Sequence, residues 1–99
     1  MIEDLIKIIK ERKKSEIEKS YTKQLISSGL DKCIDKLQEE FDELKEALQN
    51  DKSNVVHETA DVIYHLLVSL EVANINFDDV LAELKKRKKL SGVEEKRNR

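Results

Sequence analysis

Three side chains able to bind a cation or move a proton lie along one side of an apolar segment, residues 55–73. Glu58, Asp61 and His65 are spaced by three and four residues, so on an α-helix they form one narrow stripe. Apolar side chains cover more than half of the helix circumference, a pattern typical of a mostly buried central helix. Because an unpaired carboxylate is costly to bury, the stripe requires cations, either basic side chains or a metal ion.

A second acidic group precedes this segment, on a helix predicted over residues 32–49. Glu39, Glu40 and Glu43 share one side of that helix with Lys36, and Glu40 lies closest to the apolar side. The apolar seam beside them has the spacing of a helix-packing surface and consists of Ile34, Leu37, Phe41, Leu44 and Leu48. Glutamates on so charged a helix usually form a solvated face, and that interpretation stays open at this point.

The two acidic groups can face one cavity if their helices are antiparallel. Fourteen residues separate Glu43 from Glu58, and the polar stretch 49–53 between them indicates a turn. Four or five converging carboxylates would repel one another, and a divalent cation that prefers oxygen ligands, Mg²⁺ or Mn²⁺, would relieve that repulsion. Zn²⁺ is a poorer match, because His65 offers only one imidazole and Cys33 lies off this face.

The composition favours an all-α fold. Charged residues make up 40% of the 99 residues and aromatic residues 4%, with two glycines and no proline, too few turn residues for a sheet protein. We predict a small bundle of four to five helices over residues 1–89, followed by a tail over 90–99. The net charge of −2 favours neither nucleic acid nor a membrane as a partner. No signal peptide or membrane-spanning run is apparent, and Cys33 is expected to pack in the core, so the cytoplasm is the expected compartment.

Capping residues indicate where the other helices begin and end. A first amphipathic helix is predicted over residues 2–14 and a last one over about 77–89. The predicted caps are Ser20 and Gly29 for a short helix, Asp31 for the helix over 32–49, Ser53 or Asn54 for the central helix, and Asn76 for the last helix. On spacing alone, the short helix is a corner whose side chains pack.

The acidic motifs resemble those of a known superfamily. Glu39-Glu40-x-x-Glu43 followed by Glu58-x-x-Asp61 on consecutive helices is similar to the signature of the all-α nucleoside triphosphate pyrophosphohydrolases. Within that superfamily the chain most resembles the phosphoribosyl-ATP pyrophosphatase family. The closer resemblance is carried by Ser20-Tyr21-Thr22, by Lys36 before the glutamate pair, by the run from Glu58 to Val68 with its Tyr64-His65 pair, and by the tail Ser91-Gly92-Val93-Glu94-Glu95-Lys96.

The resemblance implies a reaction and a set of site residues. The reaction is Mg²⁺-dependent hydrolysis of phosphoribosyl-ATP to phosphoribosyl-AMP and pyrophosphate, the second step of histidine biosynthesis, with Mn²⁺ as an alternative ion. Glu39 would be a further ligand or the base that orients the water. The metal ligands would be Glu40, Glu43, Glu58 and Asp61, and the substrate contacts Lys36, Lys32, Tyr21, Thr22 and His65. For His65, holding a carboxylate in place and packing in the core are equally open.

A homodimer of four-helix type is also expected. One protomer cannot readily cover both the apolar seam on residues 32–49 and the apolar circumference of residues 55–73.

Two other functions stay open on the sequence. A house-cleaning pyrophosphohydrolase acting on ordinary or damaged nucleotides would use the same metal site, although the Ser20-Tyr21-Thr22 segment and the tail argue against it. A non-catalytic helical-bundle interaction module would leave residues 39–43 as a solvated face and residues 58–61 as paired ions. Binding of Mg²⁺ or Mn²⁺ would separate the two enzymes from the module.

Overall fold

The computed structural model describes residues 1–16 and 20–88, which form helices joined by short connections and include no strand. The α-helices are α1 (Ile2–Arg12), α2 (Tyr21–Ser27), α3 (Leu30–Asn50), α4 (Val55–Val72) and α5 (Phe77–Arg87), with a 3₁₀ turn, Lys52–Asn54, between α3 and α4. The predicted all-α class is confirmed. The tail predicted over 90–99 and part of the connection predicted over 15–19 lie outside the described residues.

Local capping explains most of the helix boundaries. The Ser20 hydroxyl accepts a hydrogen bond from the Lys23 backbone N–H at 3.2 Å, and the Asn76 side chain accepts one from the Asp78 N–H at 2.9 Å, as predicted. The prediction that Asp31 caps the third helix is wrong. Gly29, with a φ of +93°, makes the turn, so α3 begins at Leu30 and Asp31 lies inside its first turn.

The hydrophobic core lies where α1 and α2 pack against the α3–α4 hairpin. Its buried residues are Ile9, Leu25, Cys33, Leu67 and Val68. Cys33 is 2% exposed and its Sγ donates to the Leu25 carbonyl at 3.2 Å, so the packing role predicted for it is confirmed. No helix in the described part of the chain is long and apolar enough to cross a membrane.

The two long helices meet along one edge of the apolar seam that the sequence predicts on α3. Cys33, Glu40 and Ala47, spaced seven residues apart, are the buried residues of α3. The neighbouring seam residues Ile34, Phe41 and Leu48 are 47–57% exposed. Leu37 and Leu44, also in the predicted seam, are half-buried. The described protomer therefore uses one edge of the predicted seam for its internal packing and leaves the other edge open.

α4 is buried less completely than the sequence predicts. Val56 and Ile63, in its N-terminal half, are 82% and 40% exposed, whereas Leu67, one turn beyond Ile63 on the same side, is 4% exposed and packs in the core. The apolar face of α5 is open as well, with Leu84 54% exposed, and Phe77 is its one residue packed against the core in the described chain. Open apolar surface thus remains on all three helices.

Candidate metal centre

Four carboxylates meet where α3 and α4 lie side by side. Glu40 and Glu43 are one turn apart on α3, and Glu58 and Asp61 are one turn apart on α4. Each of the four offers an oxygen, and these oxygens lie within 4.8 Å of one another. The structure therefore brings together all four side chains that the sequence suggests as metal ligands, although their ligand role stays a prediction.

Two atoms of this group are buried without a hydrogen bond. Glu40 is 6% exposed and Glu58 8% exposed, and the Oε2 of each has no hydrogen-bond partner among the described residues. Buried polar atoms in folded proteins are nearly always hydrogen-bonded, so two such atoms in one cluster call for a functional explanation. A divalent cation with a preference for oxygen ligands fits this donor set.

The electrostatics of the cluster favour protonation when no cation is present. Burial raises the pKa of Glu40, and the charges of Glu43 and Asp61 raise it further, against a lowering effect of Lys36. Burial also raises the pKa of Glu58, with Glu43 adding to the effect, while His57 and a 3.0 Å hydrogen bond from Asn54 oppose it. Both buried carboxylates are therefore held in an environment that disfavours their charge.

The predicted basic residues stand in different relations to the cluster. Lys36 lies beside it, with its Nζ 3.1 Å from an oxygen of Glu39 and 3.7 Å from Oε1 of Glu40. Glu39 itself is 64% exposed at its side chain and lies outside the group of four. Lys32 is exposed, and its side chain makes no hydrogen bond or ion pair among the described residues.

His65 lies directly against the acidic cluster. It is 6% exposed, with its Nε2 3.7 Å from Oε1 of Glu40, and its ring meets those of Tyr21 and Tyr64 edge-on. Burial lowers the pKa of His65, and Lys36 lowers it further, so the neutral imidazole is favoured. A separation of 3.7 Å is too long for a hydrogen bond. His65 is thus a buried histidine that borders a carboxylate, and its role in holding that carboxylate stays a prediction.

An open cleft beside His65 contains the other predicted substrate residues. Its volume is ≈ 350 Å³, and it is lined by Arg12, Ser15, Ser20, Tyr21, Thr22 and Tyr64. Tyr21 is 51% exposed, whereas Thr22 is buried and shares a hydrogen bond with the Tyr64 hydroxyl. Tyr21 is therefore accessible to a ligand, and the hydroxyl of Thr22 is engaged inside the protein.

Three residues near the site were missed by sequence reasoning. Asn54 bonds to Glu58, His57 has its Nε2 3.3 Å from an Asp61 oxygen, and Tyr64 joins Thr22 to His65. The first two precede their partners by four residues, so the spacing rule that grouped the carboxylates could have found them. The Thr22–Tyr64 pair spans 42 residues of sequence and carries no such signal.

A helical hairpin with a four-carboxylate cluster defines the class of this site, and comparison with known proteins defines the family. The family model for phosphoribosyl-ATP pyrophosphohydrolase matches residues 2–88. A curated relative from Rhizobium etli, named phosphoribosyl-ATP pyrophosphatase, is 43% identical over 97% of this chain and 91% of its own length. Relatives of the same name from Roseobacter denitrificans and Rhodobacter capsulatus are 41% and 43% identical, covering 99% and 89% of this chain and 94% and 86% of their own lengths. The chain belongs to the phosphoribosyl-ATP pyrophosphohydrolase family, and the resemblance stated from its motifs is confirmed.

Proposed function

We propose that this chain hydrolyses phosphoribosyl-ATP to phosphoribosyl-AMP and pyrophosphate in histidine biosynthesis, with Mg²⁺ held by Glu40, Glu43, Glu58 and Asp61. The reaction rests on family membership. The metal rests on one observation, the two buried carboxylate oxygens of Glu40 and Glu58 that have no partner among the described residues. Mn²⁺ is an alternative ion with the same oxygen preference. The cytoplasm stays a prediction of the sequence.

The bound cation would neutralise phosphate charge and make a water molecule nucleophilic. The protein supplies the remaining groups. Lys36 places its ammonium group at the edge of the cluster, where it can contact a phosphate as a point charge. Glu39 lies outside the group of four and is well exposed, which suits a base that accepts the proton of the attacking water. Lys32, four residues before Lys36 on α3, stays a predicted phosphate contact.

The cleft beside His65 is the place we propose for the phosphoribosyl end of the substrate. Arg12 lines this cleft, and no described ion pair engages its guanidinium, which can bind a phosphate through two hydrogen bonds. Tyr21 offers an exposed ring and hydroxyl beside it. Because Thr22 is buried against Tyr64, we propose that it positions Tyr64, whereas direct contact of Thr22 with substrate stays a prediction.

We further propose that two protomers pair through their open apolar surfaces. On α3 these are Ile34, Phe41 and Leu48, and on α4 they are Val56 and Ile63, each set at a spacing of seven residues. Light scattering is expected to give twice the chain mass of 11.5 kDa. Phe41→Glu should convert the dimer to monomer, whereas the exposed control Gln49→Glu should not. Monomeric wild-type protein at micromolar concentration would contradict the pairing.

Pyrophosphate release tests the reaction. Phosphoribosyl-ATP and a panel of ordinary nucleoside triphosphates are compared with Mg²⁺, with Mn²⁺ and with a chelator. We expect turnover of phosphoribosyl-ATP with either ion, little turnover of the panel, and none with the chelator. Equal turnover of the panel would favour the house-cleaning alternative. If folded protein released no pyrophosphate from any substrate, the interaction module would be favoured.

A further inference from the structure

His57 lies in the first turn of α4, on the outer side of the carboxylate cluster. Its Nε2 is 3.3 Å from Oδ2 of Asp61, and the two side chains are 69% and 38% exposed. Taken alone, this is an ordinary histidine–aspartate pair on a helix surface, of the kind that four-residue spacing produces. This pair differs from an ordinary surface pair because Asp61 and the adjacent Glu58 also belong to the carboxylate cluster.

Glu58 and Asp61 belong to two potential ligand sets at once. In one set they accompany Glu40 and Glu43, and in the other they accompany His57, with the ligand atoms of each set within 4.8 Å of one another. Glu58 is 8% exposed, and its Oε2 has no hydrogen-bond partner among the described residues. Glu58 has one oxygen hydrogen-bonded to Asn54 and the other unpaired, so it has a free oxygen to offer a cation in either set.

We propose that His57, Glu58 and Asp61 form a second cation position, which shares its two carboxylates with the four-carboxylate position. This inference rests on the metal site of the proposed function and adds a nitrogen ligand to it. An imidazole shifts preference from Mg²⁺ toward later transition metals such as Zn²⁺, whereas the all-carboxylate position suits Mg²⁺ and Mn²⁺. Two cations bridged by shared carboxylates can stabilise both the attacking and the leaving oxygen of a phosphoryl displacement.

The histidine content of the chain makes this inference testable. The sequence contains two histidines, and the second, His65, is buried with its Nε2 against Glu40 and belongs to neither ligand set. A histidine nitrogen bound to a metal ion must therefore come from one of two residues in very different positions. His57 is exposed and on a helix surface, so His57→Gln is expected to fold like the wild type.

The experiment is a Mn²⁺ titration of the full chain at mildly alkaline pH, followed by pulsed electron paramagnetic resonance. In wild-type protein we expect two Mn²⁺ per chain and a nitrogen coupling that changes when the histidines carry ¹⁵N. In His57→Gln we expect one Mn²⁺ per chain and no histidine nitrogen coupling. The Zn²⁺ affinity of the second position, formed by His57, Glu58 and Asp61, should fall about tenfold or more. Glu58→Gln should weaken both positions, and Gln49→Glu should change neither.

The outcomes separate this inference from the proposed function. One Mn²⁺ with oxygen ligands alone in the wild type would overturn the second position and leave the proposed metal site standing. A nitrogen coupling that persists in folded His57→Gln would assign the ligand to His65 and also overturn it. Absence of any Mn²⁺ binding would contradict the metal site itself and with it this inference.

Discussion

Two clusters of polar side chains, each shared between α4 and a neighbouring helix, differ in whether their buried polar atoms have hydrogen-bond partners. The hydroxyls of Thr22 and Tyr64 bond to each other, and the Ser69 hydroxyl donates to the His65 carbonyl at 2.9 Å. In the carboxylate cluster, by contrast, Glu40 and Glu58 each keep a buried oxygen without a partner among the described residues. A satisfied cluster fixes the fold, whereas an unsatisfied charged cluster requires a ligand. Mutations in the carboxylate cluster should therefore reduce activity with little loss of stability, whereas mutations in the Thr22–Tyr64 cluster should mainly reduce stability.

The largest effect is expected from Glu58→Gln, which removes the charge of a buried and unsatisfied carboxylate. We expect kcat/KM to fall by about 10³-fold or more, an estimate in the upper range for losing one electrostatic element of an active site. Without metal, the variant should melt no lower than the wild type, because it lacks the repulsion between Glu58 and Glu43 that helps to raise the pKa of Glu58. Mg²⁺ should no longer raise its melting temperature.

Asp35→Asn is the matched control, because Asp35 is exposed on α3 and its side chain makes none of the described hydrogen bonds or ion pairs. Its activity and melting temperature should equal those of the wild type. Asp61→Asn should behave like Glu58→Gln. Wild-type activity in both Glu58→Gln and Asp61→Asn would refute the ligand assignment and erase the distinction between the two clusters.

Mutations in the Thr22–Tyr64 cluster should change the stability of the protein. Thr22→Val removes a hydroxyl without changing the shape of the side chain. The Tyr64 hydroxyl then loses its hydrogen bond to Thr22, which should lower the unfolding free energy by about 1–3 kcal/mol. Tyr64→Phe should cost a similar amount. The double variant should be less destabilised than the sum, with a coupling of about 0.5–3 kcal/mol. Urea unfolding of the four proteins measures this cycle.

Activity then separates positioning from binding at Thr22. If Thr22 only positions Tyr64, then kcat/KM of folded Thr22→Val should fall far less than that of Glu58→Gln, and Ser27→Ala on the exposed side of α2 should change nothing. Unchanged stability together with a loss of activity as large as that of Glu58→Gln would instead support direct substrate contact, as the motif resemblance implies.

The sequence predicts the helices and the acidic cluster well, because both depend on local spacing. Residues three apart share a helix face, and a short polar turn makes α3 and α4 antiparallel neighbours, so Glu40, Glu43, Glu58 and Asp61 could be placed together. Capping chemistry likewise located the starts of α2 and α5. These features require no knowledge of the tertiary packing.

Other features could not be read from the sequence, because they depend on which surfaces meet. Apolar spacing marks one packing seam on α3, yet it cannot tell which edge of the seam packs inside the protomer. Ile34, Phe41 and Leu48 stay exposed, whereas the neighbouring edge with Cys33, Glu40 and Ala47 is buried. The burial of His65 against Glu40 follows from that choice. The apolar spacing within one helix does not determine how that helix aligns with the helix it packs against.

The smallest effect, and the most direct test of an unsatisfied charge, is the pH dependence of metal-free stability. The fold raises the pKa of Glu40 above its ordinary value of 4.5, chiefly through burial, so the native state binds this proton more tightly than the unfolded chain does. The resulting stabilisation is fully present below pH 4.5 and is lost as the pH rises through the raised pKa of the folded state. Unfolding free energies of wild type and Glu40→Gln, measured in chelator across this range, should therefore diverge, with the wild type losing stability relative to the variant as pH rises.

His65 acts in the opposite direction, and the variant comparison accounts for it. Burial lowers the pKa of His65 below 6.5, so its contribution is present above that pH and is lost as the pH falls through its lowered pKa in the folded state. Because both proteins contain His65, the difference between them reports Glu40 together with the effect of Glu40 on the neighbouring His65. Saturating Mg²⁺ should reverse the trend, since the ion binds the ionised carboxylate and its stabilisation grows as pH rises. A wild-type curve parallel to that of Glu40→Gln, with and without Mg²⁺, would mean that Glu40 is satisfied by the fold alone and that the two clusters on α4 do not differ.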